Sequence, residues 1–236
     1  MNQSTLSPKL RILIADDHAL IRQGMAVVIG AQPDIILVGA AENGEQAVRM
    51  ARELQPDVIA LDIKMPVKNG IAAIEEIVAA NPAARILVIT SFPDDDTVFD
   101  AIRAGATGYY LKDSSPDDMV NALRTVAAGE AALQPVIARK IMQQLRQPEQ
   151  SGGAVHQDLT AREIEVLRWL TRGITNDEIA IELGVSSRTV GTHIRNILDK
   201  LHLTNRTQAA LYAVEQGITA PENEHSVERD DKRRPG

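Results

Sequence analysis

The residues best suited to chemistry are five polar side chains that each follow a short apolar run in the first half of the chain. They comprise three carboxylates, a hydroxyl and an ammonium group, at Asp16, Asp17, Asp62, Thr90 and Lys112. Apolar runs of this length are typical of buried strands in a parallel sheet. The carboxyl ends of such strands meet at one edge of the sheet, where open α/β sheets bind their ligands. We therefore expect these side chains to converge, although each alone could be an ordinary cap of a turn.

The chemistry of this set is that of a cation site beside a nucleophile. Neighbouring carboxylates repel one another and need a cation. Apart from His18 there is no histidine or cysteine nearby, so the oxygen ligands favour Mg²⁺ or Mn²⁺ over zinc. A carboxylate beside such an ion can attack phosphorus and form an acyl phosphate. The metal and Lys112 would neutralise the oxygens of the group in transfer, and Thr90 would donate a hydrogen bond to one of them.

The elements that must position these residues alternate regularly along the chain. Strand-like runs alternate with helical patterns, the strands at 11–15, 34–39, 58–61, 85–89 and 107–111 and the helices at 19–29, 44–54, 71–80, 97–104 and 116–128. Alternation of this kind predicts a parallel sheet covered on both faces. Because crossovers are right-handed, we predict a flavodoxin-like, doubly wound α/β fold with five parallel strands.

This constellation resembles the receiver domain of bacterial two-component response regulators over about residues 9–128. The resemblance implies that Asp62 is the phosphoacceptor. It also implies that Asp16, Asp17 and the backbone carbonyl of Lys64 complete the Mg²⁺ shell together with Asp62.

Further roles follow from the same resemblance. Thr90 and Lys112 become the pair that binds the phosphoryl group, and Tyr109 takes the position of the family's aromatic switch. A half-buried strand aromatic is the alternative interpretation of Tyr109. The motif does not dictate the side chain of Lys64. We predict that it overhangs the pocket and lengthens the life of the acyl phosphate by hindering water.

The second half of the chain changes character. A polar stretch rich in helix breakers, QPEQSGG at 147–153, predicts a linker, and a further helix at 132–145 precedes it. We divide the chain into a receiver at 9–129, a linker with a helix at 130–156, a helical domain at 157–220 and a disordered tail at 221–236.

The helical domain shows explicit helix starts. Capping boxes begin two helices at Thr160 and Thr175, Ser186 begins a third, and Asn205 begins a fourth. The third helix, which reaches about residue 201, follows a tight turn at 184–186. It has one apolar face and one polar, partly basic face, as the second helix of a helix-turn-helix does. An ordinary small bundle with a solvated face is the alternative.

Three segments of this domain, LTAREIEVL at 159–167, GITNDEIA at 173–180 and TVGTHI at 189–194, strongly resemble LuxR-type DNA-binding domains. A receiver joined to such a domain resembles the NarL/FixJ class of transcriptional regulators. The resemblance implies an all-α four-helix domain that binds promoter DNA and pairs through its fourth helix as a homodimer. The implied DNA-binding residues are Arg188, Gly191, Thr192, His193, Arg195, Asn196 and Lys200.

The DNA-binding residues have different expected roles. We expect Arg195 to contact bases, because arginine bound to guanine is the commonest specific pairing, and Arg188 and Lys200 to contact phosphates. Family members often carry lysine where this chain has Gly191. Glycine removes a charge and weakens a helix by up to ~1 kcal/mol relative to alanine, or it lets the backbone approach DNA closely.

Composition excludes several other classes. The 236-residue chain has a net charge of −7, too acidic to indicate nucleic-acid binding by charge alone, and no cysteine. No apolar run approaches the ~20 residues that span a bilayer. Residues 1–8 lack the apolar core of a signal peptide. We expect a cytoplasmic protein that does not bind membranes.

The function we predict is a phosphorylation-dependent DNA-binding transcriptional regulator. A cognate sensor histidine kinase would supply the phosphoryl group, and the chain would have no enzyme activity beyond its own phosphorylation and dephosphorylation. The alternatives are an Asp-nucleophile phosphatase, a constitutive DNA-binding protein with an inactive receiver, and a protein-interaction adaptor. The phosphatase requires a second Asp two residues after the nucleophile, where this chain has Lys64.

Overall fold

The computed structural model describes residues 8–91, 95–134, 137 and 159–218. Its first part alternates strands and helices: β1 (Leu10–Ala15), α1 (Ala19–Gly30), β2 (Ile35–Ala41), α2 (Gly44–Leu54), β3 (Val58–Leu61), α3 (Gly70–Ala80), β4 (Ile86–Thr90), α4 (Asp95–Ala104), β5 (Gly108–Leu111), α5 (Pro116–Ala127) and β6 (Ala132–Leu133). Four helices follow: α6 (Ala161–Leu170), α7 (Asn176–Leu183), α8 (Ser187–Leu201) and α9 (Arg206–Glu215). None of the helices described is long and apolar enough to cross a membrane.

The strands form one parallel sheet in the order β2-β1-β3-β4-β5-β6. This confirms the predicted doubly wound α/β fold. The register aligns the strand ends, because Ala15 pairs with Leu61, Leu61 with Val88, and Thr90 with Leu111. The residues that follow β1, β3, β4 and β5 therefore share one edge of the sheet.

Each face of the sheet is covered by helices. Alternate residues of β1 enter different apolar clusters: Leu13 packs on the side of α2, α3 and α4, whereas Ile12 and Ile14 pack on the side of α1 and α5. A strand with period-two side chains that is buried on both faces has no polar positions in its interior. This explains the continuous apolar runs of the sequence.

The sheet has six strands rather than the five predicted, because residues 132–133 extend alongside β5 instead of beginning a helix. Pro135 disfavours the helical conformation for Gln134. Gln134 holds this segment beside the end of β5, because its side-chain amide accepts a hydrogen bond from the Leu111 N–H (3.3 Å) and donates one to Ser114 Oγ (2.7 Å). The helix predicted from residue 132 is therefore wrong at its start. Ile137 is helical and buried, and the rest of that helix, the linker sequence and the tail lie outside the described residues.

The C-terminal helices begin where the sequence predicts. Thr160 and Thr175 both form complete capping boxes, and Ser186 and Asn205 cap α8 and α9 with side-chain oxygens. Gly184 ends α7 in the left-handed conformation that glycine adopts without strain. The helices enclose their own apolar core, to which α8 contributes Val190, Ile194 and Ile197.

Candidate phosphorylation site and DNA-binding helix

Asp62 lies at the end of β3, in line with the neighbouring strand. Its N–H donates to the Ala15 carbonyl at 2.8 Å, and its Oδ1 accepts from the Ile63 N–H at 2.7 Å. The start of α3 crosses so close to this strand end that a Cβ on Gly70 would lie 2.3 Å from the Asp62 carbonyl oxygen. The Asn69-Gly70 pair, which signals a loop in the sequence, is thus required by close packing beside the carboxylate.

Asp16 and Asp17 follow β1. Asp16 is fully buried, and its Oδ1 accepts the His18 N–H at 2.8 Å. Arg22 supports this loop, because its guanidinium donates to the Asp16 carbonyl at 2.8 Å and to Glu42 Oε1 at 2.7 Å. The sequence analysis missed Arg22. The available signal was a cation one turn into α1 and an acid just after β2.

Lys112 joins the acidic side chains. Its Nζ lies 2.5 Å from Asp16 Oδ2 and 2.7 Å from Asp62 Oδ2. Its backbone N–H donates to the Thr90 carbonyl at 2.8 Å, so β4 and β5 hold the lysine and the threonine side by side. Thr90 is buried. The structure therefore brings Asp16, Asp62, Thr90 and Lys112 to one edge of the sheet, as predicted.

One ammonium group between two buried carboxylates perturbs the acid–base behaviour of the site. Burial raises the pKa of Asp62; the hydrogen bond from Lys112 opposes this, and the charge of Asp16 adds to it. Burial alone would lower the pKa of Lys112, but the hydrogen bonds to Asp16 and Asp62 outweigh it and raise the pKa. The lysine therefore stays charged beside the two buried carboxyl groups.

The donor set fits a hard divalent cation. One ligand atom from each of Asp16, Asp17, His18 and Asp62 can be chosen so that all four lie within 4.8 Å of one another. His18 Nδ1 lies 2.7 Å from Asp17 Oδ1, so the imidazole already engages that carboxylate. Three carboxylates from two strand ends suit Mg²⁺ or Mn²⁺. The predicted participation of the Lys64 carbonyl stays a prediction.

Lys64 and Tyr109, two further predicted residues near this edge, differ in their exposure to solvent. The side chain of Lys64 is exposed, and its position over the pocket stays a prediction. Tyr109 is only 1% exposed, so it is buried more deeply than the half-buried aromatic of the alternative interpretation. It pairs with Val88 on one side and with Leu133 of β6 on the other. The strand that the sequence analysis missed thus flanks the predicted switch residue.

The polar face of α8 is open in this structure. Arg188, Thr192, Arg195 and Asn196 are exposed, whereas the apolar face of α8 packs into the helical core. Gly191 and His193 are partly buried. A Cβ on Gly191 would find its nearest neighbour, Asn176 Nδ2, at 4.0 Å, so packing leaves room for a side chain.

Lys200 has a role inside the domain. Its Nζ lies 2.7 Å from Glu163 Oε2, and the Glu163 side chain is only 3% exposed. Glu163 also accepts from the Thr160 N–H at 2.7 Å as part of the capping box. Lys200 therefore neutralises a buried acid, and its predicted contact with a DNA phosphate stays a prediction.

Arg206 is a second residue that the sequence analysis missed. It is 5% exposed and donates to Asn176 Oδ1 at 2.9 Å and to the Ile174 carbonyl at 2.8 Å. Desolvation lowers its pKa, and the charge of Glu130 opposes this. The guanidinium therefore holds the start of α7, the first helix of the helix-turn-helix, against α9.

Comparison with known proteins matches both parts of the chain. A family model described as the response regulator receiver domain matches residues 12–124, and one described as bacterial regulatory proteins of the luxR family matches residues 157–213. The transcriptional regulatory protein LiaR of Bacillus subtilis is 43% identical over 204 residues, which cover 86% of this chain and 96% of LiaR. The response regulator protein VraR of Staphylococcus aureus is 34% identical over 209 residues, with coverages of 89% and 98%.

A solved structure extends the likeness to both parts of the chain. The crystal structure of the response regulator ChrA from a heme-sensing two-component system has a TM-score of 0.51 and 31% identity, and it covers 90% of this chain and 100% of its own. Receiver domains typically bind Mg²⁺ in an acidic pocket, which the cluster at Asp16, Asp17 and Asp62 matches. The chain therefore belongs to the LuxR-type response regulators, transcriptional regulators of two-component systems that join a receiver domain to a helix-turn-helix DNA-binding domain.

Proposed function

We propose that Asp62 accepts a phosphoryl group from a sensor histidine kinase and that this modification promotes dimerisation and promoter binding. The observation that carries the proposal is the Lys112 ammonium, which touches Asp62 and Asp16 at a buried strand edge. A carboxylate oxygen of Asp62 would form a bond to phosphorus. The phosphorus–nitrogen bond of the donor phosphohistidine would break, and the imidazole would leave with the electron pair.

The surrounding residues have separate tasks in this transfer. Asp16, Asp17, Asp62 and the Lys64 carbonyl would hold Mg²⁺ or Mn²⁺, which when bound supplies positive charge against the carboxylates and the phosphoryl oxygens. Lys112 would move from its bond with Asp62 to a phosphoryl oxygen. Because it is already charged and in place, little reorganisation is needed during the reaction.

The response of the receiver would start at Thr90. A hydrogen bond from Thr90 to the phosphoryl group would draw it toward Asp62 and leave room for Tyr109 to rearrange. Both residues are buried, on strands that pair directly, so a change at one alters the packing of the other. Phosphorylation would then shift the receiver between two arrangements.

The DNA-binding half would act as a symmetric pair. The exposed face of α8 would enter the major groove, with Arg195 at base edges and Arg188 and Lys200 at phosphates. Gly191, Thr192, His193 and Asn196 would complete the contact surface. Pairing of α9 with its copy would place two recognition helices on adjacent half-sites. A kinase-linked regulator of promoters would work in the cytoplasm.

The experiment that tests this function compares DNA binding before and after phosphorylation. The chain and its Asp62→Ala variant are treated with acetyl phosphate and Mg²⁺, and genomic DNA is then footprinted with each. After treatment we expect the parent chain to give specific footprints at about tenfold lower protein concentration, a usual size for such coupling. The Asp62→Ala variant should show no such gain. Equal footprints with and without treatment would instead indicate a constitutive DNA-binding protein. Turnover of phosphate monoesters would indicate a phosphatase.

A further inference from the structure

The turn that follows β5 carries Lys112 to the phosphorylation pocket. The Ser114 N–H closes this turn by donating to the Leu111 carbonyl at 3.1 Å. Lys112 lies directly after Leu111, inside the turn, and its ammonium group reaches Asp16 and Asp62 from there. The position of the ammonium therefore depends on how firmly the backbone of the turn is held.

Gln134, at the end of β6, holds both ends of this turn. Its side-chain oxygen accepts a hydrogen bond from the Leu111 N–H at 3.3 Å, and its side-chain nitrogen donates one to Ser114 Oγ at 2.7 Å. The two residues that it contacts lie on either side of Lys112 in the chain. One amide side chain from the linker thus fastens the turn on both sides of the lysine.

The backbone of β5 explains why an amide is needed here. The Lys112 N–H donates to the Thr90 carbonyl of β4, so the N–H of the preceding residue, Leu111, points to the opposite side, toward β6. The pairing of β6 with β5 ends at Leu133, one residue before Gln134. The carbonyl oxygen of the Gln134 side chain therefore takes the place of a further strand carbonyl and satisfies an N–H that would otherwise lack a partner in the protein.

The support of Gln134 is itself restrained. β6 approaches β5 closely because Gly108 has no side chain: a Cβ at that position would lie 2.9 Å from the Ala132 carbonyl oxygen. On the other side of Gln134, Pro135 disfavours the helical conformation for its neighbour and favours an extended backbone. The amide therefore meets the turn from a defined position, as a group that orients another residue must.

We propose that Gln134 is a positioning residue for phosphoryl transfer, so that the start of the linker forms part of the phosphorylation site. It acts through Lys112, whose ammonium it keeps in place between Asp16 and Asp62. The inference rests on the proposed function, in which Lys112 binds a phosphoryl oxygen. Because that interaction strengthens as negative charge develops during transfer, a poorly held lysine slows the transfer more than it weakens binding of the phosphoryl donor.

The position of Gln134 in the chain makes this role separate from the shared receiver motif. The receiver family model matches residues 12–124, which include Lys112, and the luxR family model begins at residue 157. Gln134 lies between the two. The lysine thus belongs to the part of the chain that the family model describes, whereas the side chain that holds its turn belongs to the linker.

Gln134→Met tests the proposal in the full chain. Methionine keeps the length of the side chain but cannot donate to Ser114 and is a poor acceptor for the Leu111 N–H. The chain is phosphorylated with Mg²⁺ and a series of acetyl phosphate concentrations, so that an Asp62 oxygen bonds to phosphorus and acetate leaves with the electron pair. On phosphate-affinity gels we expect the maximal rate constant to fall by about tenfold, as for other supporting hydrogen bonds at reactive sites. The acetyl phosphate concentration at half the maximal rate should change little.

Two further variants separate positioning from a loss of stability. Gln134→Glu is the rescue, because a carboxylate accepts from the Leu111 N–H and the Ser114 hydroxyl can donate to it, so most of the rate should return. Gln32→Met is the matched control: Gln32 accepts from Arg124 at 3.1 Å at the opposite end of the sheet, and its loss should leave the rate unchanged. Hydrogen exchange of the Leu111 amide, measured without phosphoryl donor, should be faster in Gln134→Met and near the parent rate in Gln134→Glu.

The outcomes distinguish this inference from the proposed function. A parent-like transfer rate in Gln134→Met, together with faster exchange at Leu111, would overturn the positioning role. Equal slowing in Gln32→Met, or no recovery in Gln134→Glu, would also overturn it. If the parent chain is not phosphorylated, or if Asp62→Ala is phosphorylated equally well, the proposed function itself is wrong, whereas exchange at Leu111 still reports whether Gln134 holds the turn.

Discussion

At the scale of single residues, three lysines near the pocket differ in the contacts of their side chains. Lys112 is held between two carboxylates, Lys68 is held by an ion pair with Glu76, and Lys64 is exposed beside Asp62. All three follow strands that approach one pocket. Their different surroundings, rather than their residue type, decide which one can act on water near the phosphoryl group.

Lys64→Ala should shorten the life of the acyl phosphate. We expect dephosphorylation to accelerate by about two- to fivefold, corresponding to less than ~1 kcal/mol of barrier, because the exposed side chain no longer hinders attacking water. Loss of the phosphorylated band after removal of acetyl phosphate measures the rate. Lys68→Ala, in the same loop, is the control and should change it little. An unchanged rate for Lys64→Ala would rule out this role.

Lys200→Ala should destabilise the DNA-binding domain by about 1–2 kcal/mol at neutral pH, because it leaves the buried carboxylate of Glu163 without its cation. The surroundings lower the pKa of Glu163 below its usual 4.5: desolvation opposes the shift, and the bonds from Lys200 and Thr160 outweigh it. A lowered carboxyl pKa stabilises the fold above about pH 4.5, and this is lost as pH falls through the lower folded value. Urea unfolding of parent and variant should therefore converge at acid pH.

The same variant separates the structural role of Lys200 from the predicted DNA contact. If the ammonium also meets a phosphate, the slope of log affinity against log salt should fall by about 0.9 for each lost contact. Arg195→Ala should instead lose the preference for specific over random DNA. Equal losses on both DNAs for Arg195→Ala would contradict its assignment to base edges.

At the scale of elements, α8 shows both what the sequence could predict and what it could not. The apolar spacing of Val190, Ile194 and Ile197 predicted the buried face, and Ser186 predicted the start of the helix; the structure has both. Strand ends and caps were predictable because they depend on local residue types. The β6 strand was not, since it depends on Ala132 pairing with the distant Gly108, where the absence of a side chain leaves the edge of β5 accessible. The contact of α9 with the receiver also depends on the backbone carbonyls of Arg103, Gly105 and Thr107, which carry no sequence signal.

Substitution of Gly191 should stabilise the helix in which it lies. Gly191→Ala should stabilise α8 by up to ~1 kcal/mol, because space exists around the position and alanine favours a helix. Gly191→Lys should raise DNA affinity and steepen the salt dependence by about one unit. Thermal unfolding and DNA titration measure these effects. A Gly191→Ala variant that is more stable yet loses DNA binding would show that the backbone approaches DNA closely.

At the scale of the whole molecule, a chain with net charge −7 must bind a polyanion through few cations. On α8 the basic residues are Arg188, Arg195 and Lys200, and Lys200 already neutralises Glu163. Each recognition helix therefore offers little charge for phosphates. If two chains pair as proposed, joining two such helices would supply much of the affinity for DNA.

This charge distribution predicts a shallow salt dependence for the phosphorylated dimer. Arg188 and Lys200, the two residues assigned to phosphates on each of two helices, would neutralise at most about four phosphates, which corresponds to a slope of about −3.6 in log affinity against log salt. Titrations between ~50 and ~200 mM salt measure it with the chain phosphorylated in every sample. The basic residues of the tail, Arg229, Lys232, Arg233 and Arg234, could add to the slope, so a chain ending at residue 220 is the matched control. A slope near −8 in the shortened chain would show that other cations contact the phosphates. Pairing of two α8 helices would then contribute less to the affinity for DNA.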